Sequence, residues 1–545
     1  MTGRKLEDVR YHVEEFTPEE TSVLNRFFTN TDLPVFGLVN LPEVVKGALF
    51  ARYSRSSKSI RRLFLDEFTD SETGVAAIAE ASNDPIVDMS KAEQLYQRVF
   101  VEYGDDSVAQ LGGTHLACEQ ASNLLTKQLE WGRLAAYLEQ STRYIFYDTT
   151  VAGRYRYTVP AEIESGALGV EYVSHLNWMF DTYSKLVRDM KTVYEVRFPK
   201  AASDPPVVYN ATIRAKACDA ARGLLPAATL SNVGIYATGQ AYEMALVRMH
   251  AHPLAEVRDY GEMMLGELRK VIPSFLTRVD KPERGGRWSE YLADVAARLD
   301  AHGAVLGTET EDGPSVRLTD FDPDAEIKLA AAALYAHSEL SDAALEDQAR
   351  AMTPAERGVV ISDLIGEREN RRHKPGRPME RTSYRFDIVC DFGAFRDLQR
   401  HRLMSIEWQR LSTRLGFDMP SDIVEAGHET VWADAMDRSR EMYERIREEH
   451  GADVAQYVVP FAANIRFVME MNARQAYHLI ELRSQPAGHT AYRRVAHEMA
   501  RLIDEVAGHH AIAAGMEFVD YTDVDLERLE AERAAERRRA ARASG

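Results

Sequence analysis

The stretch that decides the fold is GAFRDLQRHRLMSIEWQRLSTRL, residues 393–415. Its counterpart is ASNLLTKQLEWGRLAAYLEQSTRY, residues 121–144; a helix-like run ends at Arg402 in the later stretch and at Arg133 in the earlier one. Outward from these, two more pairs recur in the same order. ARGLLPAAT, containing Pro226, answers to AQYVVPFAAN, containing Pro460, and QAYEMALVRMHAHPLAEVR, with Arg248, answers to QAYHLIELRSQPAGHTAYR, with Arg483. Three pairs in one order point to two tandem copies of a domain rather than chance likeness between amphipathic helices. The first copy has the longer insertion, between Tyr157 and Ala221. The expected organisation is a first repeat over 1–298, an acidic Gly-rich linker over 299–320, a second repeat over 321–524 and a charged helical tail over 525–545. The linker reading rests on HGAVLGTETEDGPS (His302–Ser315), which has little to bury.

The chain has 545 residues, enough for two or three domains of ~100–200 residues each. With 45% hydrophobic and 28% charged residues it has the apolar surface to offset chain entropy, which excludes global disorder. The 66 Lys and Arg against 85 Asp and Glu leave a net charge of −19, which disfavours general nucleic-acid binding and leaves small anions as ligands. Cys118, Cys218 and Cys390 are far apart and odd in number, against a disulfide framework or structural zinc and in keeping with a reducing compartment. The opening MTGRKLEDVR leads into no apolar h-region, and no run of ~18 apolar residues exists, so the expectation is a cytoplasmic protein with no membrane segment. His250 and His252, His489 and His497, and His509 and His510 lack further convergent ligands, so no metal site is expected. Neither GxxxxGK[ST] nor GxGxxG occurs.

Tyr384, Phe386 and Ile388 alternate with Arg385 and Asp387, a period of two that predicts a strand leading into a helix over Ala394–Gln399. In the first copy His115–Glu119 takes the strand's place and Ser122 can cap the next helix. Apolar residues three and four apart predict helices from Gln240 and Gln475. Asn472 and Arg483 then lie about 16 Å apart on one helix face, suited to different parts of a long ligand. The densest cationic cluster is Arg396, Arg400, His401 and Arg402. Planar guanidiniums pair with phosphate or with the carbonyl edges of flat heterocycles, so an anionic ligand would relieve the crowding. The competing reading is local salt bridges, to Glu407 and Asp397. Trp131 and Trp408 beside the two motifs serve either packing or stacking on a ring.

The RHR of Arg400, His401 and Arg402, followed by NAR (Asn472, Ala473, Arg474) and ELR (Glu481, Leu482, Arg483), resembles the flavin-dependent thymidylate synthases. The family signature is RHR, seven residues, then a serine within E-x-S-x-R-Y; neither copy has all of it. The first has WGR at Trp131–Arg133, seven residues, then Ser141 within EQSTRY; the second has RHR intact, but Arg410 at the serine position and Ser412 two residues on. The resemblance covers nearly the whole chain as two copies. It implies an α+β fold of two tandem thymidylate synthase-like domains, each a central, mostly antiparallel sheet with packed helices.

The resemblance also implies roles. Nucleotide-binding positions fall on Gln128, Glu139, Ser141, Arg143, Arg222 and Arg248, all in the first copy. Its flavin positions are eroded, with Trp131 and Gly132 for Arg and His and with Ala237 and Gly239 for the Asn and Arg of NAR. The second copy keeps the FAD-binding positions Glu380 (within HKPGRPME), Arg400, His401, Arg402, Asn472 and Arg474, but has Gln456 at the phosphate arginine and Asp397 at a family glutamine. Copies eroded in different places imply a composite site, with the phosphate grip from the first copy and the flavin and base side from the second, in a homodimer that forms a pseudo-tetramer with half the usual sites intact. The implied reaction is reductive methylation of dUMP to dTMP, with carbon from methylenetetrahydrofolate and hydride from FAD reduced by NADPH. Arg483 and Arg400 are the implied catalytic groups, stabilising negative charge on the uracil ring. The alternative is an inactive flavin- or nucleotide-binding paralogue with a regulatory or scaffolding role, favoured by Trp131, Gly132 and Gln456.

Overall fold

The computed structural model describes residues 11–12, 14–41, 43–68, 110, 112–151, 153–201, 204–306 and 315–522. The opening decapeptide, residues 307–314 of the linker and the charged tail lie outside them.

Each repeat builds a four-stranded sheet with the same strand order. In the first, β1 (Val35–Leu38), β2 (Gly113–Ser122), β3 (Ala135–Glu139) and β4 (Leu230–Thr238) lie in the order β1-β2-β4-β3. In the second, β5 (Val316–Phe321), β6 (Ser383–Asp391), β7 (Ser405–Trp408) and β8 (Asn464–Asn472) lie in the order β5-β6-β8-β7. Every pairing in these sheets is antiparallel. The duplicated α+β architecture read from the sequence is therefore the one observed.

The pattern that forms β6 is visible in its burial. Tyr384, Phe386 and Ile388 are buried while Arg385, Asp387 and Val389 are less so, and β8 alternates likewise through Ile465, Phe467, Met469 and Met471. The two pair in continuous register from Ser383↔Asn472 to Asp391↔Asn464, which puts the apolar sets on one face; burying each such side chain is worth roughly 1.5–3 kcal/mol. In β2 the register shifts between Cys118 and Ala121, and Gln120 has φ of 56°. The bulge belongs to the first repeat alone of these two strand pairs.

Helix α1 (Asn123–Leu129) follows β2, and Ser122 Oγ accepts from Leu125 N at 3.1 Å, the cap expected of that serine. Long α2 (Ala167–Arg197) and α3 (Pro206–Ala221) occupy the insertion of the first repeat, followed by α4 (Gly239–His250) and α5 (Ala255–Arg269). In the second repeat come α6 (Phe392–Leu398), α7 (Glu429–Ala455), α8 (Ala473–Arg483) and α9 (Thr490–Glu505). Gly451, at φ 86°, joins two helical segments within α7.

The chain divides into two compact units that interleave the repeats. Unit 1 is Met1–Arg188, Leu224–Glu309 and Asp437–Val459; unit 2 is Asp189–Gly223, Thr310–Met436 and Pro460–Gly545. Each repeat thus lends a segment to the unit built on the other. Within unit 2, the lent segment is held by Tyr194 Oη donating to Asp422 Oδ2 at 2.5 Å, by Arg197 against Asp422 and Glu425, and by Ala462 N donating to Gly223 O at 2.9 Å. Within unit 1, Ala227 N and Ala228 N donate to Val459 O and Tyr457 O at 2.8 and 2.9 Å, and Tyr457 Oη donates to Glu256 at 2.7 Å.

Candidate functional site

The lent segment ends at Gly223, and the preceding Arg222 places an arginine of the first repeat in unit 2 beside α6. Arg222 is 4% exposed; its Nη1 lies 3.7 Å from Asp397 Oδ2 and its Nε 3.6 Å from Asp219. Its Nη2 is buried with no hydrogen-bond partner among the described residues. The guanidinium packs so closely over the start of α6 that a Cβ on Gly393 would stand 3.4 Å from Nη2 and 2.9 Å from Asp391 Oδ1. Asp391 caps α6 through Ala394 N at 2.9 Å. Burial pushes its carboxyl up to about 7, against the opposing pull of Arg222 and with the help of Asp418.

Asp397 gathers two more guanidiniums. Its Oδ1 lies 3.4 Å from Arg400 Nη1 and 3.9 Å from Arg483 Nη1. Three arginines from both repeats therefore converge on one carboxylate that is 8% exposed. Arg400 does meet Asp397, as the salt-bridge reading of the cluster expects. Arg396 is buried, with its guanidinium 4.8 Å from the centre of the Phe461 ring.

His401 fixes the orientation of Arg483. Arg483 Nε donates to His401 Nε2 at 2.9 Å, and the amide nitrogen of Gln475, Nε2, lies 3.3 Å from Nδ1. A guanidinium does not deprotonate, so Nε2 is the acceptor, the ring proton sits on Nδ1, and Gln475 must turn its amide oxygen towards it. Burial, then Arg483, His478 and Lys374, hold the imidazole well below its ordinary range, so it stays neutral. Burial likewise lowers Arg483, with Asp397 opposing.

The wider wall is electropositive. His478 is pushed down to about 4 by burial, then by Lys374, Arg371 and Arg483; Lys374 is lowered by burial, Arg474 and Arg371. Arg474 donates to Pro375 O at 2.9 Å and to Glu380 at 3.1 Å. Asn472 is the N-cap of α8, its side-chain oxygen accepting from Gln475 N at 2.9 Å. Arg402 is half-buried in the loop after α6. Trp408 packs against Phe395, ring centres 5.5 Å apart.

The remaining sequence candidates lie in unit 1. Glu139 is buried against Lys127 Nζ at 3.3 Å, which also meets Glu130 at 2.8 Å; Lys127 escaped the sequence reading because it stands in the apolar run of α1. Ser141 Oγ accepts from Arg143 N at 3.3 Å, and Ser412 makes the same turn with Arg414 N at 3.3 Å. Gln128 is half-buried on α1. Arg248 lies 5.2 Å over Trp131, and a Cβ on Gly132 would stand 2.6 Å from Tyr137 Oη and 3.9 Å from Arg248. Where unit 2 pairs an arginine with His401, unit 1 has an arginine on a tryptophan and a tyrosine in the histidine's space.

Unit 1 also contains a cavity of about 690 Å³ that no motif signalled. Gln120, Gln140, Asn232, Glu256 and Tyr260 line it, with Glu119 from the β2 bulge, and none of the sequence candidates does. Among the described residues no group of three or more His, Cys, Asp or Glu side chains is placed to hold a metal, and no helix is long and apolar enough to cross a membrane.

A model of the thymidylate synthase complementing protein family matches residues 61–274 and 317–508, one match per repeat. A UPF0159 protein of Chlamydia muridarum is 39% identical over 522 residues, 95% of this chain and 98% of the relative. A UPF0159 protein of Thermoplasma acidophilum is 31% identical over 518 residues, 89% and 97% of the two chains. Among solved structures, the UMP/dUMP methylase PolB from Streptomyces cacaoi, bound with 5-Br dUMP, aligns at 19% identity over 37% of this chain and 95% of that one, with a TM-score of 0.28. That last likeness is too slight to bear on fold or chemistry.

Proposed function

The chain belongs to the thymidylate synthase complementing protein family, and from that premise we propose that it converts dUMP to dTMP at a composite site in unit 2. The observation that carries this reading is the convergence of Arg222, Arg400 and Arg483 on Asp397, an arginine cluster no single repeat supplies. Arg222 is the proposed phosphate ligand, because its buried Nη2 lacks a partner among the described residues and an anion would supply one. Arg483 and Arg400 are the proposed catalytic groups at the uracil. Arg483 is oriented by His401 before any ligand arrives, so donors aimed at a ring oxygen stabilise negative charge there without reorganising.

The residues of unit 2 suit FAD. Arg371, Lys374 and Arg474 form a cationic wall; burial and then Lys374 and Arg371 already suppress protonation of His478, and a pyrophosphate would relieve that field, with Arg402 a further proposed contact by resemblance. Glu380, His401 and Asn472 complete the proposed set. Bound FAD, reduced by NADPH, would supply the hydride. In the balanced reaction, dUMP, methylenetetrahydrofolate, NADPH and a proton give dTMP, tetrahydrofolate and NADP⁺; the uracil C5 hydrogen leaves as a proton. In unit 1, Gln128, Glu139, Ser141, Arg143 and Arg248 are proposed nucleotide contacts by resemblance, and a homodimer is the proposed assembly.

The test is release of the C5 hydrogen from labelled dUMP with all co-substrates present. Turnover by the wild-type chain, lost on Arg222→Gln and on Arg400→Gln, supports the reading; full turnover in both variants rejects the composite site. Tyr137 standing in the histidine's space of unit 1 favours the second reading, a nucleotide-binding paralogue, which would bind dUMP in a calorimetric titration and release no hydrogen in this assay.

A further inference from the structure

We propose that the cavity of unit 1 is a second nucleotide site, for a nucleoside monophosphate whose base edge meets Gln140 and Asn232 and whose phosphate meets Arg154 and Arg156. Its volume of about 690 Å³ is that of a small-ligand pocket, and the reaction proposed for unit 2 uses none of these four residues.

Gln140 and Asn232 are cross-strand neighbours. Gln140 N donates to Asn232 O at 2.8 Å, one step beyond the Glu139↔Val233 pair, so both side chains stand on one face. Gln140 follows Glu139 in an extended run and therefore points away from the face on which Glu139 meets Lys127. Backbone partners fix how each amide is turned. Asn232 Oδ1 accepts from Gln120 N at 2.9 Å, which leaves its Nδ2 as a donor; Gln140 Nε2 donates to Ser56 O at 2.6 Å, which leaves its oxygen as an acceptor. The N–H that orients Asn232 comes from the β2 bulge, where Gln120 is held at φ of 56°. A fixed donor beside a fixed acceptor matches a nucleobase edge, which carries the same two groups in reverse.

The uncommitted charge on this wall is positive. Glu14 accepts from Arg62 Nε at 3.0 Å, Glu119 from Ile60 N at 2.9 Å and Glu256 from Ser122 N at 2.9 Å, and Glu164 and Asp259 are engaged as well. Arg154 and Arg156 have no carboxylate partner among the described residues. Their guanidiniums lie over tyrosines, 5.6 Å from the centre of Tyr157 and 4.1 Å from that of Tyr147, and Arg156 Nε is buried without a hydrogen bond. A phosphate would supply the missing acceptors. Arg156 O accepts from Leu230 N at 2.9 Å, and Leu230 is two residues, about 7 Å, from Asn232 along β4, so one small ligand can reach both ends.

The experiment titrates the full-length chain with GMP, guanosine and ribose 5-phosphate by isothermal calorimetry; a purine is the probe because the site in unit 2 is proposed for a uracil ring. GMP should bind more tightly than either of its parts, and Arg154→Gln combined with Arg156→Gln should weaken it by about 10- to 100-fold, with a thermal melt to check folding. Gln140→Met should weaken GMP by about 2- to 10-fold and leave ribose 5-phosphate unchanged. Arg222→Gln should leave GMP binding as in the wild type. Should the paired variant not fold, Arg154→Gln alone, at an exposed position, decides: loss of GMP affinity supports the phosphate assignment and full affinity overturns it. Ribose 5-phosphate binding as tightly as GMP overturns the base-edge assignment. No binding of GMP at millimolar concentration, or binding weakened by Arg222→Gln and not by the arginine pair, overturns the inference, while the reading of unit 2 stands or falls on its own hydrogen-release assay.

Discussion

Replacing Arg222 by glutamine, the residue at its counterpart Gln456, separates recognition of phosphate from recognition of the ring. The guanidinium is 4% exposed and has one buried nitrogen without a partner among the described residues, so a phosphate there gains hydrogen bonds in a low-dielectric setting. Loss of a charged hydrogen bond costs about 1.5–3 kcal/mol, which raises the Kd for dUMP by about 10- to 100-fold. Deoxyuridine, which has the ring and sugar but no phosphate, should bind the variant and the wild type alike. Calorimetry with both ligands measures this directly. Equal losses for nucleotide and nucleoside would show that Arg222 holds the site's shape instead of the phosphate, and the reasoning would fail. A thermal melt of the variant accompanies the titration, because Arg222 also lowers the proton affinity of Asp391.

Asp391→Asn tests the buried carboxyl at the start of α6. Its folded value, raised to about 7, means that stability declines as pH rises from about 4 to 7, where the unfolded chain has lost a proton the fold retains; the full span is about 4 kcal/mol. His401 and His478, both lowered, give the opposite slope below their ordinary value, so the difference between wild type and Asp391→Asn in urea denaturation at pH 5 and pH 8 isolates the aspartate. The variant, which keeps the cap, should gain stability relative to wild type at pH 8; a constant difference across pH would contradict the raised value. Gly132→His restores a motif residue in unit 1 but drives its Cβ to 2.6 Å from Tyr137 Oη, so it should lose about 1–3 kcal/mol of stability, recovered in part by adding Tyr137→Ala. Equal melting temperatures for Gly132→His and wild type would refute that packing.

Local patterns carried the fold. The alternation of Tyr384, Phe386 and Ile388 specified β6, Ser122 marked the start of α1, and the two QAY segments marked α4 and α8. Matched motifs in one order then implied matched sheets, and the strand orders agree. The exchange of segments was not legible, because no local preference of α2 or α7 reports which sheet their far ends will meet. Arg222 could be recognised as a phosphate-type arginine, but its place beside Asp397 depends on long-range contacts such as Gly223 with Ala462. Asp397 read as a lost glutamine or a salt-bridge partner; only the structure shows it between three arginines. Lys127 under Glu139, and the cavity beside the β2 bulge, are likewise tertiary facts without a spacing to announce them.

The central claim is that one polypeptide builds one site from both of its repeats. Arg222→Gln and Arg400→Gln chains, co-expressed and purified together, measure it most directly through hydrogen release from C5 of dUMP. With both arginines drawn from the same chain, every chain in the mixture carries a broken site, and the mixture should be as inactive as either variant alone. Recovery of a substantial fraction of wild-type turnover would mean that Arg222 and Arg400 meet across two chains, contrary to the arrangement in unit 2.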